Sequence, residues 1–327
     1  MPAKNKLPGE FELIARLVKG LRMSPRTILG PGDDCAILAP GRHPQLFTID
    51  SMVEGVHFRL EWGSAEKLGA RALVVNLSDI AAMGGTPLCC VINLAVREGL
   101  PLRFFDRLYR GLKRLARQYQ TDIVGGNITR ADRLAITIAV LGEAPRAILR
   151  RDAARPGDEI FVTGTVGDSA AGVRILDGAL KASGRARAFL IERHLNPTQR
   201  IEAGLALARM RPAPAAIDIS DGLLQDLGHI LERSRVGAEI DAAAIPLSPS
   251  YRAVMGDDLS LALGGGEDYE LLFCLRRGHS EKSLTRALGL PVRRIGRIIR
   301  GRRAVVVGKS GMLVADVVGW DQLKGRL

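Results

Sequence analysis

Short apolar runs alternate with amphipathic segments along both halves of the chain, and few folds accommodate this order. Runs such as Leu88 to Val96 and Ile136 to Leu141 have the length and composition of buried strands. Between such runs, Ser64 to Met83 places apolar residues at helical intervals, opens on a good N-cap and stops at paired glycines. The alternation predicts an α/β (α+β) fold without solenoid repeats.

A stretch rich in Arg, Pro and Gly, Arg146 to Asp158, interrupts this order. Such composition is typical of a domain junction, so we expect two domains, residues 1–147 and 148–327. In the first, we predict a helix from Phe11 to Leu21 and another opened by Pro101. Elements predicted in the second are strands Glu159–Thr163, Ala216–Ile219, Tyr269–Leu275, Val292–Ile298 and Ala304–Val307, and helices Thr198–Met210 and Gly222–Arg233.

The composition is that of a globular protein. The 327 residues are 46% hydrophobic and 25% charged, enough to bury two cores of ordinary size. The start, Met1 to Gly20, lacks the apolar run of a signal peptide, and no stretch approaches the roughly 18 apolar residues that cross a bilayer. We therefore expect a cytoplasmic protein without membrane association.

The formal net charge of +12 raises the possibility of nucleic-acid binding. The arginines are scattered, however, and only 4% of the residues are aromatic, with no basic run interleaved with them. Solvated surface arginines and attraction of small anionic substrates remain the alternatives. The four cysteines are too irregularly spaced for a disulfide framework or a zinc site.

Several aspartates occur in short segments bounded by glycine and apolar residues: Gly32 to Asp34, Thr48 to Ser51, Asn76 to Asp79, and Ile217 to Gly222. Each carboxylate alone fits a turn or an N-cap. A carboxylate at the end of a buried strand is costly unless a positive group meets it. Several such ends converging would bind Mg²⁺, which prefers carboxylate and water oxygens and is commonly shared with nucleotide phosphates.

The chain lacks the Gly-x-x-x-x-Gly-Lys-Ser/Thr loop and the His-Arg-Asp and Asp-Phe-Gly elements. This excludes the P-loop and protein-kinase routes to phosphoryl transfer. The loop Gly164 to Ser169 could bind phosphate through backbone amides at the start of a helix, or it could simply cap that helix.

The order and the amino-acid sequences of these segments resemble those of the thiamine-monophosphate kinases over roughly residues 9–321. Asp50 to Phe58, containing Val-Glu-Gly-Val-His-Phe, and Gly265 to Leu271, reading Gly-Gly-Glu-Asp-Tyr-Glu-Leu, are the most discriminating segments. Gly32 to Ala36, Asn76 to Gly85, Gly125 to Asn127, Gly164 to Gly172 and Asp218 to Leu223 also resemble the family.

The resemblance implies an aminoimidazole ribonucleotide synthetase-like fold, with an N-terminal dimerising domain and a C-terminal domain that closes the cleft over ATP. It implies several Mg²⁺ ions, ATP and thiamine monophosphate as substrates, a homodimer, and no nucleic acid. The implied metal ligands are Asp33, Thr48, Ile49, Asp50, Asp79, Asn127, Asp218 and Asp221, of which Asp79, Asp218 and Asp221 are also catalytic. The implied ATP contacts are Gly126, Asn127, Arg151 and Ser220, and the implied substrate contacts are His57, Glu267 and Trp320.

One position departs from the family pattern. Many members have Asp where this chain has Asn127, and an amide oxygen is a neutral, weaker magnesium ligand. The alternatives kept open are another ATP-dependent synthetase or dehydratase of the same superfamily, and a basic nucleic-acid-binding protein. The chain ends Lys324-Gly325-Arg326-Leu327, whereas a hydrogenase-maturation dehydratase should end in Cys.

Overall fold

The computed structural model describes residues 9–31, 35–301, 303–308 and 311–314. The chain divides into two compact units, the first ending at Pro145 and the second beginning at Arg146. The division lies two residues before the predicted boundary, since the prediction placed it after residue 147. Ala81–Gly85 groups with the second unit, although it lies within the sequence of the first.

The first unit is built on a four-stranded sheet of order β3-β6-β4-β5. Its strands are β1 (Thr27–Leu29), β2 (Ile37–Leu38), β3 (Gln45–Val53), β4 (Thr86–Val96), β5 (Asp122–Arg130) and β6 (Ala135–Glu143). Its helices are α1 (Glu10–Val18), α2 (Ala65–Ala82) and α3 (Leu102–Gln118). Strand β6 pairs antiparallel with β3 and β4, and β4 pairs parallel with β5.

Helices α2 and α3 approach each other closely enough to require glycine at both contact points. A Cβ on Gly69 would lie 2.0 Å from the carbonyl oxygen of Leu108, and one on Gly111 would lie 1.9 Å from that of Glu66. Helix α3 follows Pro101 as predicted and buries Leu108 and Leu112. Ser64 caps α2 as predicted, because its Oγ accepts a hydrogen bond from the backbone N–H of Lys67.

The second unit contains a seven-stranded sheet of order β13-β12-β9-β11-β7-β10-β8. The strands are β7 (Glu159–Thr163), β8 (Ala215–Asp218), β9 (Gly237–Asp241), β10 (Leu271–Leu275), β11 (Val292–Ile299), β12 (Ala304–Gly308) and β13 (Gly311–Val314). The helices are α4 (Asp168–Leu176), α5 (Gly184–Leu195), α6 (Ile201–Leu207), α7 (Leu223–Ser234), α8 (Pro249–Met255), α9 (Ser260–Gly264) and α10 (Glu281–Leu288). Arg151–Ala153 and Ala242–Ala244 are short 3₁₀ helices.

Strand β7 pairs antiparallel with both β10 and β11, and its Ile160, Phe161 and Val162 are fully buried. The rings of Phe161 and Phe273 stack there with centroids 5.5 Å apart. Gly204 on α6 lies against the end of α2, where a Cβ would come 2.0 Å from the carbonyl oxygen of Ala81. This contact is one of those that join the end of α2 to the second unit.

The α/β (α+β) fold class predicted from the alternation is confirmed. The paired glycines Gly125 and Gly126 form no turn, because both lie inside β5. The predicted strand from Tyr269 begins later, at Leu271, since Tyr269 has a positive φ of 52° that no strand residue adopts. No helix in the described part of the chain combines the length and hydropathy needed to span a membrane.

Candidate active site

In the first unit, strand β3 and helix α2 bring together a hydroxyl and a carboxylate. Thr48 Oγ1 donates a hydrogen bond to Asp79 Oδ2. Asp50 lies two residues after Thr48 and therefore on the same face of β3, and both are half-buried. The side chain of Ile49 points to the opposite face and is 62% exposed, so only its backbone carbonyl oxygen could serve as a ligand. That role is feasible because β3 lies at one edge of the sheet.

His57 is held by the turn that follows β3. Its Nδ1 accepts a hydrogen bond of 3.1 Å from the backbone N–H of Val53. The turn is closed by Gly55, whose φ of +84° favours glycine. Because Nδ1 acts as acceptor, the neutral imidazole carries its proton on Nε2 and presents an N–H donor.

Gly126 and Asn127 lie side by side on β5. A Cβ on Gly126 would lie 2.1 Å from the carbonyl oxygen of Ile92, so the strand packing itself requires glycine. Asn127 is exposed and lies opposite Asn93 in the register of β4 and β5. Its Nδ2 donates a hydrogen bond of 3.0 Å to Asn93 Oδ1.

In the second unit, the segment between β8 and α7 wraps around the carboxylate of Asp226. Asp226 Oδ2 accepts hydrogen bonds of 3.0, 3.1 and 3.1 Å from the backbone N–H groups of Ser220, Asp221 and Gly222. Gly222 has a φ of +128°, which permits the sharp entry into α7. Asp226 thus fixes the loop that follows Asp218 and carries Asp221, and it was not among the residues predicted from the sequence. The available signal was its position four residues after Gly222, in the first turn of the predicted helix.

The carboxylates of this loop repel one another. Burial, followed by the charges of Asp218 and Asp221, raises the pKa of Asp226 well above its ordinary value. Burial also raises the pKa of Asp221, opposed by a hydrogen bond from Gln225 Nε2. The ligand atoms of Asp221, Asp226 and His229 all lie within 4.8 Å of one another. A divalent cation would relieve this repulsion, and the carboxylate oxygens are donors that Mg²⁺ prefers, whereas the nitrogen of His229 is not.

The acidic segment Glu267 to Glu270 runs alongside this loop. The backbone N–H of Glu267 donates to the carbonyl oxygen of Ser220, and that of Tyr269 donates to the carbonyl oxygen of Ile219, both at 2.8 Å. Glu267 itself has a positive φ of 67°. Two backbone hydrogen bonds therefore hold a non-glycine residue in the left-handed region, a conformation found mainly where structure or function demands it.

The two buried carboxylates of that segment have specific partners. Asp268 accepts hydrogen bonds from the backbone N–H groups of Gly167 (2.6 Å) and Ser169 (3.1 Å), at the start of α4. Burial raises the pKa of Asp268 to about 8. Glu270 accepts hydrogen bonds from Thr163 Oγ1 and from the guanidinium groups of Arg193 and Arg200. The amides at the start of α4 that could have bound phosphate are thus capped by Asp268.

The structure describes most of the predicted site residues. Thr48, Ile49, Asp50 and Asp79 lie together in the first unit, and His57, Gly126 and Asn127 belong to the same unit. Asp218, Ser220, Asp221 and Glu267 lie together in the second unit, where the positive charge of Arg151 also acts on Asp221. Asp33 and Trp320 lie outside the described residues.

Both halves of the chain match one family of proteins. Residues 32–144 match the AIR synthase related protein, N-terminal domain, and residues 155–309 match the corresponding C-terminal domain. The chain is therefore an AIR synthase related protein with the expected two-domain fold.

Individual relatives show to which family within this class the chain belongs. The thiamine-monophosphate kinase of Escherichia coli strain K12 is 42% identical over 326 residues, covering 96% of this chain and 98% of that protein. The crystal structure of thiamine-monophosphate kinase from Stenotrophomonas maltophilia K279a is 37% identical with a TM-score of 0.78, covering 90% of this chain and 94% of that one. A structure of AaThiL complexed with AMPPCP and TMP is 35% identical with a TM-score of 0.76, covering 96% and 97%. The chain belongs to the thiamine-monophosphate kinase family.

Proposed function

We propose that this protein transfers the γ-phosphate of ATP to thiamine monophosphate, forming thiamine diphosphate and ADP, the final step of thiamine diphosphate biosynthesis. The observation that carries the proposal is the acidic loop Asp218 to Gly222, fixed by Asp226, in a chain that belongs to this family. The relative solved with an ATP analogue and TMP supports both substrates.

The acceptor determines what the site must do. A phosphate monoester is largely dianionic near pH 7, because its second pKa is about 6, so it needs no strong general base. The difficulty is the repulsion between two polyanions, and aligning the acceptor oxygen with the γ-phosphorus. Bound Mg²⁺ ions would supply charge neutralisation, and the proposed carboxylate ligands are Asp79 in the first unit and Asp218 and Asp221 in the second. No phosphoenzyme is expected.

The remaining roles follow the family pattern. The proposed metal ligands are Asp33, Thr48, Ile49, Asp50, Asp79, Asn127, Asp218 and Asp221. Gly126, Asn127, Arg151 and Ser220 are proposed to contact ATP, and His57, Glu267 and Trp320 to contact thiamine monophosphate. The Nε2–H of His57 suits an anionic oxygen, whereas the carboxylate of Glu267 suits a cationic or N–H-bearing part of thiamine. We place this activity in the cytoplasm, where ATP is available.

A homodimer built through the first unit is the expected assembly. Ile49, Ala139 and Val91 lie opposite one another on three adjacent strands and share one face of the sheet. On this face Phe47 is 73%, Ile49 62% and Val91 43% exposed. Contiguous exposed apolar side chains mark an interaction surface, and a two-fold axis would let the same face pack against itself.

A coupled assay of ADP release tests the proposal. Thiamine monophosphate should support ADP release and yield thiamine diphosphate, whereas thiamine and aminoimidazole precursors should not. Excess EDTA should stop the reaction, and added Mg²⁺ should restore it. Turnover of an aminoimidazole precursor instead would favour a synthetase of the same superfamily. Tight, salt-dependent RNA or DNA binding without turnover would favour the nucleic-acid alternative.

A further inference from the structure

Glu267 is anchored through its backbone, but its carboxylate has a separate support. The Glu267 side chain is 26% exposed, so part of it contacts solvent and the rest is buried. Its Oε2 lies 3.3 Å from Nδ1 of His194, a ring that is completely buried. His194 is not among the site residues predicted from the sequence.

The same ring nitrogen has a second partner. Ser169 Oγ lies 3.1 Å from Nδ1 of His194. A ring nitrogen that faces a carboxylate is favoured as a donor, so its proton can be shared between Glu267 and Ser169. The carboxylate is thereby restricted to few of its many rotamers, which lowers the entropy lost when a ligand binds.

The position of His194 is itself fixed by close packing of α5 on α4. A Cβ on Gly172 would lie 2.2 Å from the carbonyl oxygen of Leu190 and 3.2 Å from Cβ of His194. The neighbouring Arg193 donates a hydrogen bond of 2.8 Å to Glu270, three residues after Glu267. Helix α5 therefore contacts the acidic segment through two side chains, Arg193 at Glu270 and His194 at Glu267.

We infer that His194 is a positioning residue, which holds the Glu267 carboxylate in the orientation that receives the thiamine part of the substrate. The inference rests on the proposed function, because it requires Glu267 to contact thiamine monophosphate. It adds a residue on a different helix, and it assigns that residue to the binding of one substrate only. ATP binding should not depend on it.

The test measures KM for thiamine monophosphate and KM for ATP separately in the wild type and three variants. His194→Leu removes the donor and keeps a buried apolar side chain. His194→Asn retains a donor, because an asparagine Nδ2 occupies about the place of a histidine Nδ1. Leu190→Ala is the matched control, since Leu190 is buried on the same helix and its truncation leaves a cavity, while the backbone contact with Gly172 and the partners of Glu267 are kept. The melting temperature is recorded for each variant.

His194→Leu should raise KM for thiamine monophosphate about tenfold and leave KM for ATP within about twofold, while His194→Asn should recover most of the loss. Leu190→Ala should lower the melting temperature with an unchanged KM for thiamine monophosphate. Unchanged KM in His194→Leu, or an equal rise in Leu190→Ala, would overturn the inference while leaving the proposed function intact. If His194→Leu does not fold, failure of His194→Asn to keep the wild-type KM overturns it. A wild type that does not turn over thiamine monophosphate overturns the proposed function, and the inference with it.

Discussion

Thr48 Oγ1 donates a hydrogen bond to Asp79 Oδ2, and this contact joins strand β3 to helix α2. An asparagine at position 79 would keep an oxygen for Thr48 and lose only the charge. The effect of the Asp79 charge on activity can therefore be measured in a variant that keeps the hydrogen bond between β3 and α2.

Asp79→Asn and Asp218→Asn should each abolish turnover while retaining the fold. Loss of one ligand charge leaves the repulsion between the phosphates uncompensated, and a fall in kcat of at least about 100-fold is expected. Steady-state kinetics at saturating Mg²⁺, with circular dichroism spectra, measure both effects. Asp257→Asn is the control, because the side chain of Asp257 is 99% exposed. Near-normal kcat in both folded site variants would reject the proposed metal ligands.

Asn127→Asp should lower the Mg²⁺ concentration needed for the half-maximal rate. The substitution adds a full charge while keeping an oxygen donor, and we expect a severalfold shift, about 1 kcal/mol. The amide of Asn93 must then turn its Nδ2 toward the new carboxylate, because its Oδ1 now accepts from Asn127. Titration of Mg²⁺ at saturating ATP and thiamine monophosphate gives the comparison. Identical curves for wild type and variant would show that Asn127 is only a strand residue paired with Asn93.

Phe47→Glu should convert a dimer into a monomer. A charge placed on the exposed apolar face of the first unit would have to be buried against a partner, and an unpaired buried charge is strongly unfavourable. Phe189→Glu is the control, since Phe189 is 41% exposed on α5 of the second unit. Light scattering at micromolar concentration should give a monomer for the first variant and a dimer for the second. A wild type that is monomeric and fully active would contradict the proposed assembly.

Gly69→Ala should destabilise the first unit by about 1–3 kcal/mol, the usual cost of overpacking. The added methyl group would lie 2.0 Å from the carbonyl oxygen of Leu108, so α2 and α3 would have to move apart. Gly228→Ala, inside α7, is the opposite case, because nothing lies within 4 Å of its added Cβ. Alanine there should stabilise by about 0.5–1 kcal/mol. Urea unfolding of both variants measures the change in the free energy of unfolding, which should be negative for Gly69→Ala and positive for Gly228→Ala. Equal changes would show that the contact between α2 and α3 tolerates a side chain.

Asp268 should make stability depend on pH. Burial, then the charge of Asp168, raises the pKa of Asp268 from 3.8 to about 8 in the folded protein. The folded state therefore holds this proton more tightly than the unfolded chain, and the resulting stabilisation is complete at low pH and lost as the pH rises to about 8. The slope is at most about 1.4 kcal/mol per pH unit.

Melting temperatures of the wild type and Asp268→Asn between pH 6 and pH 9 test this dependence. The difference, wild type minus variant, should shrink as the pH rises toward 8 and then level off, since asparagine does not titrate. Asp132→Asn, on an exposed loop residue, should show no such change in its difference from the wild type. A constant difference for Asp268→Asn would mean that the carboxylate is already ionised throughout that range.

Local pattern predicted much of this structure. Strand β7 has the bounds predicted for it, Glu159–Thr163, and the helix carrying Asp79 extends from Ala65 to Ala82, close to the predicted Ser64 to Met83. Such elements could be predicted because the spacing of their apolar residues shows which face is buried.

Contacts between segments that are distant in sequence could not be predicted in the same way. Paired glycines usually indicate a turn, but Gly126 is glycine because the backbone of Ile92 approaches it from the neighbouring strand. The support of Glu267 by His194 depends on how α5 packs on α4, and no local pattern encodes that packing. Asp226 could have been noticed, since its partners are near in sequence, but carboxylates in a helical first turn are common.

The strand order of the second unit has a consequence for synthesis on the ribosome. Among the described strands, β7, β8 and β9 pair with one another nowhere, and each finds its neighbours only in β10, β11 or β12. A nascent chain that has not yet emerged as far as Leu271 can therefore complete the sheet of the first unit, whose strands end at Glu143, but cannot close any ladder of the second. Emergence of the chain from Leu271 onward is then the event that lets the sheet of the second unit assemble, and until then its apolar strands are exposed to aggregation.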